Sequence, residues 1–496
     1  MLGVAWIGTS FPVLRDPSQD CCPPVRRPLA RWQRIRKQHP VSAHSRRGPR
    51  AFFLSTPSPV SPLAALLLRP VVALTLSTSA LSPHADLFWR SPLRIVTVVA
   101  LLVIVPAPPA LAQQATQNQD QATLTIYGSG QGDAIVDFKQ NDPSWYDVNR
   151  PTKLPASTDQ FGENGHFYLS PRQSQFGAKA TIPTSNGDVT AVFEFDMLGV
   201  GAEAGQTAFH LLRAYGQWKQ VGAGQKHSQF VDVDVFPHTL DYWGPNGMLG
   251  LRDTQVFWQF YKNGDSNAAV AIENPGASND VSAVSNSVEL QAVRARFPAP
   301  DLTGHCRFGR PWGYVQFGAA LRYIAWDDLR PNDPLDLSGH VWGWGVSVSS
   351  NVKINDYNTL RLQYVNGEGI ENYVNDAPVG VGAQRNPGNA VTPVVGDALP
   401  VWSMVAYLEH NWNKKWSSTA GYSRVDIRNS DLQPANSFRI GQYATANLLY
   451  TPVDNVMVGG EFQWAKRQNF SDGFRSNDYR LEFSFKYSFS EKIIGG

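Results

Sequence analysis

Apolar and polar residues alternate strictly along much of the chain. The clearest case is residues 479–489, YRLEFSFKYSF, in which every odd position is aromatic or aliphatic and every even position is polar or charged. Because successive side chains of a β-strand point to opposite faces, this stretch has one wholly apolar face and one wholly polar face. The same period of two recurs in residues 124–138, 314–323, 342–349, 360–364 and 456–464.

Alternation alone is also typical of a soluble β-sandwich, so strand length is needed to distinguish such a sandwich from a membrane-spanning β-barrel. The alternating stretches are about 9–15 residues long, whereas soluble strands average about 5–6 residues and membrane-spanning strands need about 9–11. We predict sixteen strands, at residues 123–139, 166–182, 188–197, 209–220, 222–230, 251–262, 266–274, 300–308, 313–326, 340–353, 355–365, 401–413, 415–426, 438–450, 455–467 and 477–489. Strand two changes parity near Pro171, which predicts a bulge there.

The predicted connections alternate between tight turns and long loops. Turn-forming residues occupy 184–188 and 263–266, whereas the connections at 140–165, 231–250 and 367–400 are long. Short turns at one rim and long loops at the other are typical of an outer-membrane barrel. An even strand number also lets the last strand close antiparallel on the first, so that every backbone group in lipid is paired.

Aromatic residues stand near the ends of the apolar stripes, as interfacial girdles require. They include Trp342, Trp344, Trp402, Trp412, Trp416, Tyr422 and Trp464. The predicted fold is therefore all-β: a transmembrane antiparallel β-barrel of about 16 strands, with short periplasmic turns and long extracellular loops.

Charge divides the chain into two chemically different parts. Residues 1–112 contain 13 basic and 3 acidic residues, a net +10, whereas the remainder contains 30 basic and 38 acidic residues, a net −8. Residues 90–112 place Arg90 and Arg94 before eleven apolar residues, and Ala110 and Ala112 before Gln113. This is the pattern of a cleaved signal peptide, because eleven residues span only about 16 Å as a helix, roughly half of a bilayer core.

The end of the predicted signal peptide sets the bounds of the other segments of the chain. Residues 1–89 are rich in Arg, Pro and Ser without a sustained period, and they are either a disordered extension or upstream sequence read from a start placed too early. Residues 113–121 form a polar stub, residues 122–489 the barrel, and residues 490–496 a C-terminal tail. We expect the protein in the bacterial outer membrane, in contact with its lipid.

Alternation places several arginines on the polar faces that would line a water-filled lumen. A barrel of sixteen strands encloses such a lumen, which makes transport the default activity. Guanidinium groups there would attract carboxylates and hold them through two hydrogen bonds. The candidate pore-lining residues are Arg172, Arg213, Arg252, Arg307, Arg322, Arg361 and Arg480. Cys306 shares parity with Leu302 and Phe308, which predicts a thiol that faces lipid or a neighbouring subunit.

Three segments carry a resemblance to a known family. They are LTIYGSGQGDAIVDFKQNDPSWYDVNRPTKLP, SPRQSQFGAKATIPTSNGDVTAVFEFDMLG and VDVDVFPHTLDYWGPNGM. In this order they resemble the DcaP-like porins, and the likeness runs over residues 122–489. The resemblance implies a sixteen-stranded homotrimeric outer-membrane channel for small anionic organic acids, with the loop at residues 231–250 folded into the pore.

That loop supplies the candidate constriction residues. They are Asp232, Asp234, His238, Asp241, Tyr242 and Trp243. Without the resemblance, an ordinary surface loop with aromatic packing would be the simpler interpretation. Asp232 and Asp234 could also form half of a calcium site, although further oxygen ligands are not visible in the sequence. We expect an acidic loop facing a basic wall, whose field would orient small anions.

The predicted function is passive, partly selective diffusion of small organic anions, either dicarboxylate-like or aromatic acids. The alternatives are a plugged structural or adhesive barrel and, as a lesser one, an outer-membrane barrel hydrolase. The chain contains no GxSxG, HExxH, CxxC, Walker or GxGxxG motif, so we expect neither an enzyme nor a cofactor or metal. Nucleic acid is not an expected partner, because the exported part is acidic.

Overall fold

The computed structural model describes residues 122–276, 288, 290, 292–330 and 334–494. The predicted extension, signal peptide with Ala110 and Ala112, and polar stub lie outside the described residues. Within the described part, no helix has the length and apolar character needed to cross a bilayer. The described part is built almost entirely from strands, with short 3-10 turns between some of them.

One sheet contains nearly all of the strands. Its members are β1 (Thr123–Asp137), β2 (His166–Ser170), β3 (Gln175–Ile182), β4 (Val189–Leu198), β5 (Thr207–Trp218), β6 (Val221–His227), β7 (Arg252–Asn263), β8 (Ser266–Glu273), β9 (Val293–Arg296), β10 (Asp301–Arg310), β11 (Gly313–Asp328), β12 (Gly339–Lys353), β13 (Asn358–Glu368), β16 (Pro400–Asn413), β17 (Trp416–Ile427), β18 (Phe438–Tyr450), β19 (Val456–Asn469) and β20 (Arg475–Ile494). A separate hairpin consists of β14 (Val381–Arg385) and β15 (Val394–Ala398).

The sheet closes on itself, because the first strand pairs with the last. β1 and β20 run antiparallel from the pair Asp137–Arg480 to the pair Leu124–Ile494. The 18 strand segments form sixteen barrel strands, since β2 with β3 and β9 with β10 are each one interrupted strand. The predicted sixteen-stranded antiparallel barrel is thus confirmed.

Both interruptions have a reason in the sequence. Between Ser170 and Gln175 the chain carries one more residue than its partner β1, so the predicted bulge near Pro171 is confirmed. The second interruption, between β9 and β10, contains Pro298 and Pro300, which cannot donate ladder hydrogen bonds. The prediction began this strand at residue 300 and missed its β9 half, which pairs with the end of β11.

The outer face of the wall is apolar and its inner face is polar, which is the reverse of the arrangement in a soluble barrel. On β20, Phe483 and Phe485 are each 54% exposed on the outer face, whereas Arg480 and Glu482 are fully buried on the inner face. Cys306 is likewise exposed, on the parity of Phe308. A soluble sandwich would bury the apolar face, so this arrangement identifies lipid as the outer solvent.

The end of the barrel differs from the predicted boundary at Phe489. β20 continues to Ile494, and its last residues pair with Tyr127, Ile126, Thr125 and Leu124 of β1. Residues 490–494 are therefore strand rather than tail. The prediction ended too early because this extension, SEKII, is mostly polar and breaks the alternation that marks the rest of β20.

Three long connections enter the barrel. They are the first loop (residues 138–165), the inner loop (residues 228–251) and the hairpin loop (residues 369–399, which contains β14 and β15). The largest apolar cluster joins Phe230 and Leu249 of the inner loop with Ile370, Tyr373 and Val374 of the hairpin loop. Inward-facing wall residues such as Val365, Val401 and Val425 complete this cluster, so a hydrophobic core lies inside the barrel.

Candidate pore and its constriction

The inner loop is fixed to the wall mainly by its own backbone. The amides of Leu240 and Asp241 donate to the Glu461 carboxylate on β19, at 2.8 and 3.1 Å. The amide of His238 donates to Glu409 on β16, at 3.0 Å. Further amide donors of the loop reach other strands: Gln229 to Glu273, Gly247 to Ser423 and Leu249 to Gln363. Since these acceptors lie on β8, β13, β16, β17 and β19, the loop crosses the lumen rather than covering its mouth.

Asp232 and Asp234 anchor the start of the inner loop on Arg307 of β10. The Asp232 carboxylate accepts hydrogen bonds from Arg307 Nη2 at 2.6 Å, Tyr314 Oη at 2.8 Å and Ser349 Oγ at 2.5 Å. Asp234 accepts from Nη1 of the same arginine. Burial raises the pKa of Asp232, and the Arg307 guanidinium opposes that shift.

These contacts change two expectations. The acidic loop and basic wall touch at Arg307 instead of facing each other across a gap, because Asp232 lies within hydrogen-bond distance of the wall. The carboxylate oxygens of Asp232 also accept hydrogen bonds from protein donors, so they are not available as calcium ligands. Among the described residues, no group of three or more His, Cys, Asp or Glu side chains could hold a metal ion.

The second half of the inner loop is also held in place by hydrogen bonds. Asp241 accepts hydrogen bonds from Tyr443 Oη at 2.7 Å and from the Asn149 amide at 3.3 Å. Burial raises the pKa of Asp241 to about 7, against the opposing effect of the Arg480 charge. Tyr242 donates to Asp196 on β4, and its hydroxyl accepts from Arg252 Nη2 at 3.4 Å.

The three inward loops meet at one place, which we call the loop junction (Trp145, Arg150, Trp243, Asn375 and Asp376). Arg150 lies over the rings of Trp145 and Trp243, at 4.4 and 4.0 Å from the ring centroids, and its Nε is 2.8 Å from Asp376 Oδ1. Trp243 Nε1 donates to the Asn375 carbonyl at 2.7 Å. Because each loop contributes to the same buried contacts, no single loop can leave the lumen without breaking them.

A cavity of about 660 Å³ lies against the inner loop. Its lining extends from Trp243 and Asn375 at the loop junction to Asp265 and Lys353, which lie beside the short turns. The cavity is rich in charge of both signs. Its cationic residues are Arg213, Arg252, Arg307, Arg310, Lys353 and Arg361, and its carboxylates are Glu194, Asp234, Asp241, Asp265 and Glu409.

Four of the seven predicted arginines line this cavity, but three of them are already paired. Arg213 lies 3.3 Å from Glu194, Arg361 lies 2.6 Å from Glu409, and Arg307 holds the two aspartates. Glu409 also lies 3.4 Å from His238. Arg252 differs: among the described residues it forms no ion pair, and its guanidinium donates to the Tyr242 hydroxyl.

The other three predicted arginines face inward but do not reach the cavity. Arg172, Arg322 and Arg480 are at most 2% exposed and are paired with Asp147, Asp301 and Asp137, at 2.7, 2.8 and 2.8 Å. The inward loops cover two of them, since Asp147 belongs to the first loop and Arg322 also donates to Gly369 and Asn372 of the hairpin loop. Alternation predicts the face of a residue, whereas contact with water depends on the loops.

Sequence reasoning missed several lining residues. Lys353 shares its parity on β12 with the inward Ser347 and Ser349, so its position could have been predicted. Glu194 and Glu409, the partners of Arg213 and Arg361, also alternate inward on their strands. Asn375 carries no such signal, because it lies in a loop whose path depends on contacts with distant residues.

Comparisons with known proteins agree with this architecture. The family model described as "DcaP outer membrane protein" matches residues 111–489. The crystal structure of the outer membrane channel DcaP of Acinetobacter baumannii matches with a TM-score of 0.61 and 19% identity, over 74% of this chain and 97% of that chain. A search of curated proteins gave no match.

Two further solved structures are similar at a lower level. An anion-selective porin from Comamonas acidovorans has a TM-score of 0.47 and 10% identity, over 74% of this chain and 100% of that chain. Salmonella typhi OmpF in complex with daunomycin has a TM-score of 0.45 and 11% identity, over 75% of this chain and 99% of that chain. At these values the likeness carries no argument about this chain.

Proposed function

This chain belongs to the DcaP outer membrane protein family, and from that premise we propose that it is an anion-preferring porin. In this proposal small organic anions, dicarboxylate-like or aromatic acids, diffuse passively through the barrel with partial selectivity. The protein lies in the outer membrane, where its sixteen-stranded wall separates lipid from the polar interior.

The cationic surplus of the cavity is the observation that carries this proposal. Six cationic side chains line the cavity against five carboxylates. Arg213, Arg307 and Arg361 neutralise Glu194, Asp234 and Glu409, whereas Arg252, Arg310 and Lys353 have no carboxylate partner among the described residues. The two remaining carboxylates are Asp265 and Asp241, and burial raises the pKa of Asp241 to about 7, so that it is only partly charged near neutral pH. Arg252 lies deep beside Tyr242, and Lys353 lies towards the short-turn rim. An anion entering from that rim would therefore meet unpaired positive charge at both depths, and a guanidinium can hold a carboxylate through two hydrogen bonds.

The reversal potential across a planar bilayer tests this proposal. With a tenfold KCl gradient, the purified protein should give a reversal potential of the sign set by chloride. Addition of a dicarboxylate or a benzoate-type acid should then reduce the chloride current, because those anions would occupy the same cationic residues. A reversal potential of the sign set by potassium would overturn the proposal.

A plugged structural barrel remains the second candidate, and the loop junction favours it. Arg150, Trp243 and Asn375 are buried contacts between loops in the middle of the barrel, next to the deep end of the cavity. If these contacts closed the lumen permanently, the purified protein would insert into bilayers without measurable conductance. We propose no catalytic role, and nothing in the cavity favours the hydrolase alternative.

We also infer a homotrimer, held by barrel walls. Gly130 and Gly132 lie on the outer face of β1, where an added Cβ would meet no atom within 4 Å. Opposite them on β20 stand Tyr487 and Phe485. A flat strip next to large apolar side chains allows close approach of another wall. Chemical cross-linking of the protein in native membranes should give a species of three chains; a single-chain product would contradict the inference.

A further inference from the structure

The outer face of β17, β18, β19 and β20 changes chemistry in steps along the strands. Strand register places side chains in rows that run across these four strands. The lowest row is apolar and consists of Ala420, Ala446, Phe462 and Leu481. The next row towards the long loops contains Tyr422, Ala444, Trp464 and Tyr479, and the row after that Arg424, Gln442, Lys466 and Asn477.

The order of these rows marks the edge of the hydrocarbon layer. Tyr and Trp are enriched at the membrane interface, where the apolar ring and the polar group meet different solvents. Tyr422, for example, donates its hydroxyl to Gln442 in the row above, at 2.9 Å. Because two residues of a tilted strand rise about 5 Å, the row above the aromatic residues lies at the depth of lipid headgroups.

Four basic side chains lie between this level and the long loops: Lys466 is in the row itself, Arg475 is in the next row, and Arg428 and Arg439 lie just beyond. We call them the basic girdle: Arg428, Arg439, Lys466 and Arg475. Arg439 is exposed because it is the extra residue of a bulge between Phe438 and Ile440. Arg475 lies opposite Gln468 at the start of β20, and Arg428 follows the end of β17.

The basic girdle carries positive charge that is not neutralised by direct ion pairs. Among the described residues, none of its four side chains forms an ion pair with a carboxylate. The acidic residue of the adjoining row, Asp426, is already paired with Arg424 at 2.5 Å. Elsewhere on the outer surface, by contrast, Arg296 is neutralised by Asp327 at 2.8 Å. The girdle therefore leaves about four unpaired positive charges on a surface that faces lipid.

We propose that the basic girdle binds the phosphorylated headgroup of an outer-leaflet glycolipid. A phosphate monoester carries a charge of about −1.5 to −2 near neutral pH, so a headgroup with two phosphates matches four cations. Arginine is suited to phosphate because its planar guanidinium donates two parallel hydrogen bonds. The apolar rows below, with Phe462 and Leu481, would contact the acyl chains of the same molecule.

A lipid is the occupant that the geometry favours over a soluble phosphate. Trp464 and Tyr479 place the girdle immediately above the acyl region, so that any headgroup at this depth is within reach of its side chains. A single lipid could thus satisfy the cationic row and the apolar rows at the same time. Free phosphate could bind only to the cationic row.

Lipid binding by a charge-removed variant tests this proposal. The barrel is refolded in a neutral detergent and titrated with a bis-phosphorylated disaccharide lipid, the same lipid after phosphatase treatment, or inorganic phosphate. The test variant is Arg439→Gln/Lys466→Gln/Arg475→Gln. Its matched control, Lys262→Gln/Lys414→Gln/Lys492→Gln, removes three exposed charges at the short-turn rim.

The expected result is tight binding of the bis-phosphorylated lipid by the wild type and the control, and roughly 100-fold weaker binding by the test variant. The proposal is overturned if the test variant binds as the wild type does, if removal of the phosphates leaves affinity unchanged, or if inorganic phosphate binds as tightly as the lipid. Equal melting temperatures of the three proteins would exclude misfolding, since all the substituted side chains lie on the surface.

Discussion

Arg150 and Asp376 form an ion pair inside the barrel, with 2.8 Å between Nε and Oδ1, although 226 residues separate them in the chain. The two residues belong to different loops, and a third loop contributes Trp243, whose ring lies beneath the guanidinium. Both charged side chains are at most 3% exposed. Loops that would otherwise move independently therefore share one buried contact.

Removal of one charge from this pair should loosen the loop junction. In Asp376→Asn the Arg150 charge would remain buried without its counter-ion, which costs about 3–5 kcal/mol. We expect the barrel to persist, since its wall does not depend on this pair, while single-channel conductance and current noise increase. Planar-bilayer recording is the measurement. Asp327→Asn, which removes one partner of an exposed pair with Arg296, should leave both quantities unchanged.

Replacement of Arg252 should weaken anion preference more than it changes pore size. Arg252 is a lining cation without a carboxylate partner, so Arg252→Gln removes positive charge without leaving an unpaired acid. We expect the reversal potential in a KCl gradient to move towards the potassium value, with less than about a twofold change in conductance. Lys262→Gln removes an exposed charge outside the cavity and serves as the control. A similar shift in both variants would contradict a specific role for Arg252.

Anion preference should also depend on pH through Asp241. Burial raises the pKa of this carboxyl to about 7, so the group is mainly protonated below that pH and charged above it. Its ionisation adds a negative charge to the cavity lining, and the preference for anions should therefore be stronger at pH 5.5 than at pH 8. Reversal potentials across this range provide the measurement, and Asp241→Asn should flatten the dependence. An equal pH response in the variant would assign the effect to another group.

Glu371 of the hairpin loop should make the folded state more stable in acid than in base. It is fully buried, and burial raises its pKa to about 8 from an ordinary value of 4.5. Because the folded protein holds this proton more tightly than the unfolded chain does, the contribution is complete below the ordinary pKa. It is then lost as the pH rises to about 8.

Glu371→Gln imitates the protonated carboxyl, so it should raise the free energy of unfolding by a few kcal/mol at pH 9 and change it little at pH 4. Urea titrations in lipid vesicles at the two pH values would measure this difference. Equal effects at both values would show that the side chain acts through packing rather than through its charge.

The wall of the barrel could be predicted from the sequence because lipid imposes a local rule. Each strand residue faces either hydrocarbon or the interior, so a period of two is visible without knowledge of any other strand. Phe483 and Glu482 are neighbours in sequence and opposite in environment for this reason. The same rule failed where prolines interrupt a strand, because it missed β9, which Pro298 and Pro300 separate from β10.

The interior could be predicted only in part, because it depends on contacts between distant residues. Alternation placed Arg322 and Arg480 inward, yet it could not show that hydrogen bonds to Asn372 and an ion pair with Asp137 would bury them. The inner loop was expected inside the pore from a family resemblance. Its attachment through backbone amides to Glu461 has no sequence signal, since any residue supplies an amide.

The seam between β1 and β20 makes Leu124 and Ile494 neighbours at the short-turn rim. A short linker could join the two residues, and the chain could then be opened at another tight turn, such as residues 184–188, without loss of any pair in the wall. A circularly permuted gene should therefore encode the same cylinder. The position of the termini would then affect the order in which the strands leave the ribosome and enter the membrane, but not the ring that they finally form.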